Sequence, residues 1–494
     1  MALLLGIDIG TTGVRAGAFD ERGTLLAEAS EPCPRDEPAP GYVEADAETW
    51  WSAVRTVCGR LGERVPLAAV DAVGVTGQAP TAVVVDALGR PLRRAILWLD
   101  VRADAEARAL EATLGPGRAE SLGGNRMHPY YLGPKLAWLR AHEPDVLERA
   151  ALVLQSHAFV ALRLTGEAAC DASTAMLCAP LFEARAGAWS AEGARAAGVS
   201  LRLLPRLARA HDVLGTVTRD AAAATGLREG TPVVAGGGDF AASALGAGVI
   251  EEGQACLMLG TAGNLLVPTR APRFDSRLIN SHHVGCERWL TLGGTLCGAA
   301  LEWFRGAMAP GVAWEALEAE AASVEVGSEG LVVLPYLQGE RTPVWNEHAR
   351  GVFFGLRLAH RRGHLYRAMI EGVALGFRHC LAVAEEGGVR FDEVLASDGA
   401  GRSPLLRQAL ADALGLPLTW SSGGRGGTAA GAAILAGLGV GALPGAEAAR
   451  GWRGAGVRHE PDPRAHARLG ETFHRRLALY DAVRPVGSVG SAGR

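Results

Sequence analysis

A mainly apolar run over positions 3–9 gives way at Gly10-Thr11-Thr12, and a second follows over positions 14–19. Asp20-Glu21-Arg22-Gly23 interrupts them again before a third run over positions 24–29. Short apolar runs separated by Gly, Asp and Thr predict strand, tight turn, strand, turn, strand. Residues 48–61 have helical spacing and begin near Asp46, and residues 69–75 return as a strand. Residues 104–163 read as mainly helical, with Gly and Pro breaks. An apolar strand over 231–235 runs into Gly236-Gly237-Gly238-Asp239, and 241–246 reads as a helix.

The opening pattern then recurs in looser form. Residues 254–259 predict a strand, Gly260-Thr261-Ala262-Gly263 a turn, and 264–267 a strand. Helices follow over 298–308 and 365–383. A short strand over 394–397 precedes Asp398-Gly399-Ala400-Gly401, and 403–414 reads as a helix. The stretch 423–438 is rich in Gly and Ala, and the tail 485–494 is small and polar, which predicts disorder. The fold class is α/β. The expected organisation is two α/β domains, 1–245 and 246–484, each opening with a hairpin that ends in a phosphate-type turn, and a flexible tail, 485–494.

Length supports two domains, because 494 residues exceed what one core usually organises. A formal net charge of −4 and the lack of a basic stripe argue against a nucleic-acid partner. No apolar run is long enough to cross a bilayer, so no membrane partner is expected. Met1-Ala2-Leu3 has no basic start and leads straight into the first strand, which does not suit a signal peptide; a cytoplasmic location is expected. The eight cysteines are scattered without a CxxC, which fits reduced buried thiols and not disulfides or a zinc site. His282-His283 has no partner ligands at metal spacing and reads as ordinary structure.

Lys135 is the only lysine among 49 lysines and arginines. It lies in Gly133-Pro134-Lys135-Leu136, so no Gly-Lys-Ser/Thr phosphate loop exists. The same count argues against a protein-kinase fold and a pyridoxal Schiff base. A nucleotide is still expected. The turn at Asp8-Ile9-Gly10-Thr11-Thr12 offers backbone N–H groups and hydroxyls to phosphate, with a carboxylate beside them for Mg²⁺. An ordinary hairpin turn would read the same way in isolation.

Four glycine-bearing turns end predicted strands: 8–12, 236–239, 260–263 and 398–403. Their order and spacing resemble the FGGY carbohydrate kinases of the actin/hexokinase superfamily, over most of the chain. Further matches are Gly77-Gln78, Trp98-Leu99-Asp100-Val101-Arg102, residues 334–343 with Arg350-Gly351, and residues 367–372. The resemblance implies two ribonuclease-H-like domains around a central cleft, with ATP and Mg²⁺ as cofactors and a small sugar as acceptor. It also suggests a homodimer, which no residue of this chain shows.

Site residues follow from the same resemblance. Asp239 matches the general base and also suits the N-cap of the following helix. Asp8, with Asp239 nearby, matches the Mg²⁺ position. Gly10, Thr11 and Thr12 match the first phosphate loop. Arg15 matches a phosphate contact or is a solvated strand residue. Gly260 and Thr261 match the second phosphate loop. Gly298 and Glu302 match positions along the nucleotide, with Glu302 equally readable as a surface helix residue. Gly399 and Ser403 match the adenosine segment. The glycine repeat 423–431 reads as tight packing without a ligand. Asp100 and Arg102 read as a structural ion pair.

On the acceptor side Gln78 matches a sugar-proximal position. Xylulokinases usually read Gly-Gln-Met-His there, whereas this chain has Gly77-Gln78-Ala79-Pro80. Asp239 is usually followed by Asn or Gln, and here by Phe240. Tyr130 aligns with an acceptor-contacting tyrosine of glycerol kinases or is a packed aromatic. The overall look is nearest the xylulokinases, so phosphorylation of D-xylulose at O5 is the first expectation. The alternatives are another ketose, a polyol or a sugar acid. An actin-like ATPase switch and a non-catalytic sugar sensor are the rivals from other classes.

Overall fold

A computed structural model of the chain describes residues 2–397, 399–421 and 427–487. The expectations placed on Asp398, on Gly423 to Arg425 and Gly426, and on the last seven residues lie outside the described residues.

Among the described residues, two seven-stranded mixed sheets form the frame. The first contains β1 (Leu3–Ile9), β2 (Gly13–Asp20), β3 (Leu25–Pro32), β4 (Ala72–Gly77), β5 (Val213–Thr216), β6 (Pro232–Val234) and β7 (Gly237–Gly238). The second contains β8 (Gln254–Leu259), β9 (Ala262–Thr269), β10 (Ile279–His282), β11 (Trp289–Leu296), β12 (Glu393–Ser397), β13 (Leu418–Trp420) and β14 (Val457–His459). The first sheet has the order β5-β6-β4-β1-β2-β3, with β7 paired to β4. The second has the order β10-β11-β9-β8-β12-β13-β14.

The two sheets repeat one plan. Reading β3-β2-β1-β4-β6-β5 against β11-β9-β8-β12-β13-β14, the pairings run antiparallel, antiparallel, parallel, parallel, antiparallel in both. The looser recurrence of the opening pattern in the sequence is thus a repeated topology. The central strand β1 is buried along nearly its whole length, while the edge strand β3 alternates exposed and covered positions. That is the contrast expected of a strand covered on both faces and one covered on a single face.

Helix Ala47–Gly62 begins at Asp46, whose side chain accepts from the Glu48 N–H. Residues 104–163 form helices Asp104–Leu114, Arg118–Gly123, Leu132–His142 and Pro144–Arg149, a short strand Leu152–Leu154, and helix Ser156–Thr165. Helix Gly298–Met308 and strands β1 and β8 have the expected bounds. The strand expected over 69–75 starts later, because residues 67–69 form a helical turn after Pro66. The tail expected from residue 485 also differs. Helix Pro463–Gly487 continues through Pro485 in its last turn, where little helix remains beyond the proline to be disrupted.

The chain's second half returns to the first sheet. Helix Thr428–Gly439 lies across β1, β4 and helix Asp239–Gly246. A Cβ at Gly6 would fall 1.8 Å from Ala429 O, one at Gly74 1.9 Å from Ala432 O, and one at Gly431 1.9 Å from Ala242 O. Backbone therefore touches backbone at this crossing, and the described part of the glycine repeat is packing. No disulfide joins the cysteines of the described residues. His283 is structural: its Nε2 donates to Val249 O at 3.0 Å and its Nδ1 accepts from the Gly285 N–H at 3.0 Å. No described helix is long and apolar enough to cross a membrane.

Candidate functional site

Three parallel strands end side by side. Asp8 of β1 is level with Thr76 of β4, which is level with Gly237 of β7. Adjacent strands are about 4.8 Å apart, so the β1 and β7 ends lie about 10 Å apart. Asp239 follows β7 directly. In open α/β sheets this carboxyl end of the strands is where ligands bind.

The first turn is closed by the Gly10 N–H donating to Gly13 O at 2.9 Å. That N–H is committed to the hairpin, which leaves the two threonines as the exposed polar part. Thr12 is exposed and Thr11 is half-buried. Thr11 Oγ1 accepts from the Trp98 indole N–H at 2.9 Å. Arg15 sits directly across from Asp8 in the hairpin, so the two side chains share one face of the sheet, and Arg15 is exposed.

Asp239 is the first residue of helix Asp239–Gly246, and Gly238 occupies the N-cap. The expected N-cap role is therefore corrected: the chain is still extended at Gly238, because β7 pairs with β4 up to that residue. Asp239 Oδ1 accepts from the Phe240 N–H at 2.7 Å. Burial raises its carboxyl to about 6, against a smaller lowering by that N–H. Gly238 is anchored from below, its N–H donating to Ser173 Oγ at 3.0 Å. Ser173 is fixed in turn by Asp171, which accepts from its N–H at 2.8 Å.

The expected acceptor residues come together beside Asp239. Ala79, Tyr130 and Phe240 belong to one buried apolar cluster, with Trp98 packed against it. Tyr130 donates its hydroxyl to Ala79 O at 3.2 Å. Burial pushes that hydroxyl up to about 12, with Arg341 lowering it and Asp239 adding to the rise. Gln78 is buried, its Nε2 donating to Gly10 O at 3.4 Å, and its Oε1 has no hydrogen-bond partner among the described residues. Lys135 is fully buried and donates Nζ to Leu97 O at 2.9 Å and Tyr130 O at 2.8 Å. Asp100 and Arg102 form the expected structural ion pair, at 2.7 Å and buried.

The nucleotide-side expectations gather on the second sheet. The Gly298 N–H donates to Gly260 O at 2.9 Å, and the Cys297 and Ala299 N–H groups donate to Thr261 O at 3.2 and 3.1 Å. The second turn is thereby pinned to the start of helix Gly298–Met308. A Cβ at Gly298 would meet Gly260 O at 2.8 Å and Ala400 Cβ at 3.6 Å, which brings the segment 399–402 alongside. Glu302 is exposed one turn further along that helix. Gly399 is exposed, and a Cβ there would meet nothing within 4 Å. Ser403 caps helix Pro404–Leu414 by accepting from the Leu406 N–H at 2.9 Å, and donates to Glu318 at 2.8 Å.

Mg²⁺ fits the donors present. Asp8 on β1 and Asp239 just past β7 carry carboxylates that could offer hard oxygens from strand ends on either side of β4, and the described residues hold no cluster of three or more His, Cys, Asp or Glu suited to a metal. An ion that keeps several waters and takes phosphate oxygens needs only one or two protein carboxylates.

Sequence reasoning assigned no role to Arg341 or Lys135, although both contact Tyr130. The signal for Arg341 was the motif at 334–343. For Lys135 it was its being the sole lysine.

Residues 3–246 match the N-terminal domain of the FGGY family of carbohydrate kinases, and residues 255–440 match its C-terminal domain. The xylulose kinase of Escherichia coli (strain K12) is 37% identical over 440 residues, covering 88% of this chain and 89% of that protein. The gluconokinase of Bacillus subtilis (strain 168) is 27% identical over 423 residues, covering 83% and 82%. The crystal structure of xylulose kinase from Rhodospirillum rubrum superposes with a TM-score of 0.91 at 34% identity, covering 98% of this chain and 99% of that one.

Proposed function

The chain belongs to the FGGY family of carbohydrate kinases, and on that premise we propose that it transfers the γ-phosphoryl group of ATP to O5 of D-xylulose. The observation that carries this reading is the position of Asp239. Its carboxyl, raised to about 6, stands at the strand ends beside the cluster of Ala79, Tyr130 and Phe240. At neutral pH it is mostly ionised and still basic enough to accept a proton, as a general base requires.

In the proposed reaction a sugar hydroxyl lies against Asp239, which takes its proton as the oxygen forms a bond to the γ-phosphorus. The bond from that phosphorus to the bridging oxygen breaks, and ADP leaves with the electron pair. Bound Mg²⁺, held by Asp8 with Asp239 nearby, would supply charge neutralisation at the phosphates. Thr11, Thr12 and Thr261 offer hydroxyls, and Arg15 a cation, to the same phosphates. Gly298, Gly399 and the surface near Ser403 and Glu302 would receive the nucleoside. A kinase that draws on ATP is placed in the cytoplasm.

D-xylulose is favoured by the similarity to xylulose kinases across most of the chain. The second reading is another ketose, a polyol or a sugar acid. It is favoured by Ala79 and Phe240, two apolar side chains in the cluster beside Asp239. Phosphorus and proton NMR of the product from Mg·ATP and D-xylulose tests the first reading. Phosphate coupled to the C5 protons supports it, and no phosphorylated product refutes it.

A further inference from the structure

Arg341 belongs to the second half of the chain but lands on the acceptor side of the first. Its guanidinium carbon lies 5.2 Å from the Tyr130 ring centroid and 5.5 Å from that of Trp98. The segment that carries it is fixed to β11. Thr342 Oγ1 accepts from the Gly294 N–H at 2.6 Å and donates to Gly294 O at 3.1 Å. Glu340 accepts from Thr295 Oγ1 at 2.8 Å and from the Arg341 N–H at 3.0 Å. Four residues on, Trp345 packs against His128, with ring centroids 4.9 Å apart, and donates its indole N–H to Arg277 O at 2.8 Å. The arginine is thus mounted rigidly on one sheet and delivered to side chains that belong with the other.

The side-chain partner of its guanidinium is the Tyr130 hydroxyl, not a carboxylate. Among the described residues no carboxylate forms a salt bridge with the Arg341 side chain, in contrast to Arg102 on Asp100 and Arg367 on Glu371. The side chain is half-buried, so part of the guanidinium stays accessible. Tyr130, under it, is the residue whose hydroxyl feels the charge of Asp239. Ala79 and Phe240, in the same cluster, supply no side-chain hydrogen-bonding group to a hydroxylated ligand. A planar cation with several N–H donors supplies what those two positions lack.

We propose that Arg341 is a substrate-binding residue, whose guanidinium donates to oxygen atoms of the sugar acceptor while resting on Trp98 and Tyr130. This rests on the kinase reading given above. It assigns acceptor discrimination to a residue of the second half, so that the acceptor pocket is complete only when both halves are in place. A pocket that donates to substrate oxygens rejects analogues lacking them far better than an apolar wall does.

The test compares wild type, Arg341→Met and Arg341→Lys by steady-state kinetics in D-xylulose and in ATP, with thermal melts of each. The expected result is a KM for D-xylulose raised at least tenfold in Arg341→Met. The KM for ATP should stay within twofold and the melting temperature should be unchanged, with part of the sugar affinity restored in Arg341→Lys. An unchanged sugar KM overturns the proposal. So does a parallel loss of sugar affinity, ATP affinity and melting temperature, which marks a packing role. Absence of wild-type turnover with any sugar would instead refute the kinase reading, which separates the two failures.

Discussion

The Trp98 indole N–H donates to the Thr11 hydroxyl at 2.9 Å, across 87 positions of sequence. This bond ties the turn at Gly10-Thr11-Thr12 to the aromatic wall of the proposed acceptor pocket, because the Trp98 ring also meets Tyr130 edge-on at 6.3 Å. Trp98→Phe keeps a ring and removes the donor. A lost bond of about 1 kcal/mol corresponds to roughly a fivefold fall in kcat/KM. Thr11→Val should give a similar fall, and the double variant little more than either alone. Additive losses in the double-mutant cycle would show that the two residues act separately.

The raised carboxyl of Asp239 predicts a pH profile. With Asp239 as the proposed base, protonated in the free enzyme below about 6, kcat/KM should fall about tenfold per unit there and level off above. Asp239→Asn should remove this limb and lower turnover by roughly 10²–10⁴-fold, the usual contribution of a general base. Rates from pH 4.5 to 8.5 check both. A limb centred near 4 would mean that burial does not perturb the group.

The same group predicts a stability effect of definite sign. The folded carboxyl titrates near 6 and the unfolded one near 3.9. Between these values the folded state binds more protons, so stability falls as pH rises through the window and stays lower above it. Asp239→Asn should therefore raise the melting temperature at pH 7.5 and lose that advantage towards pH 3.5. A lowered melting temperature at pH 7.5 would contradict the burial argument.

Lys135 gives the converse case. Desolvation lowers its ammonium to about 7, whereas an unfolded lysine titrates near 10.4. Across that window the unfolded state binds more protons, so the contribution of this site rises with pH and is flat below 7. Urea melts of wild type and Lys135→Met at pH 7 and 9.5 should show wild type gaining on the variant. A difference independent of pH would place the Lys135 proton at its ordinary value.

Contact between backbones predicts the effect of one added methyl group. Gly431→Ala drives a Cβ to within 1.9 Å of Ala242 O and should cost on the order of 1–3 kcal/mol, read as a lower urea midpoint. Gly306→Ala, on an exposed helix face where a Cβ meets nothing within 4 Å, should be neutral or stabilising by up to about 1 kcal/mol.

Much of this was legible in the sequence because it is local. The runs 3–9 and 254–259 are mainly apolar segments followed by glycine, and both are strands of those bounds. Asp46 and Ser403 cap helices because a short polar side chain precedes each apolar periodic run. What escaped is made by distant segments meeting. Arg341 reaches Tyr130 from more than two hundred residues away, and no periodicity encodes that approach. Asp239 read as a cap because the pairing of Gly237 and Gly238 with β4 is invisible locally. The glycines at 6 and 74 look like weak strand residues until the helix Thr428–Gly439 is laid on them.

The central claim is that Asp239 serves phosphoryl transfer to a ketose, and ADP formation measures it most directly. Wild type and Asp239→Asn would be assayed with Mg·ATP across ketoses, polyols and sugar acids. The account predicts that D-xylulose stimulates ADP release by wild type well above the other compounds, and that Asp239→Asn abolishes the stimulation while still binding ATP. Undiminished turnover by Asp239→Asn, or ADP release that no sugar alters, would contradict it.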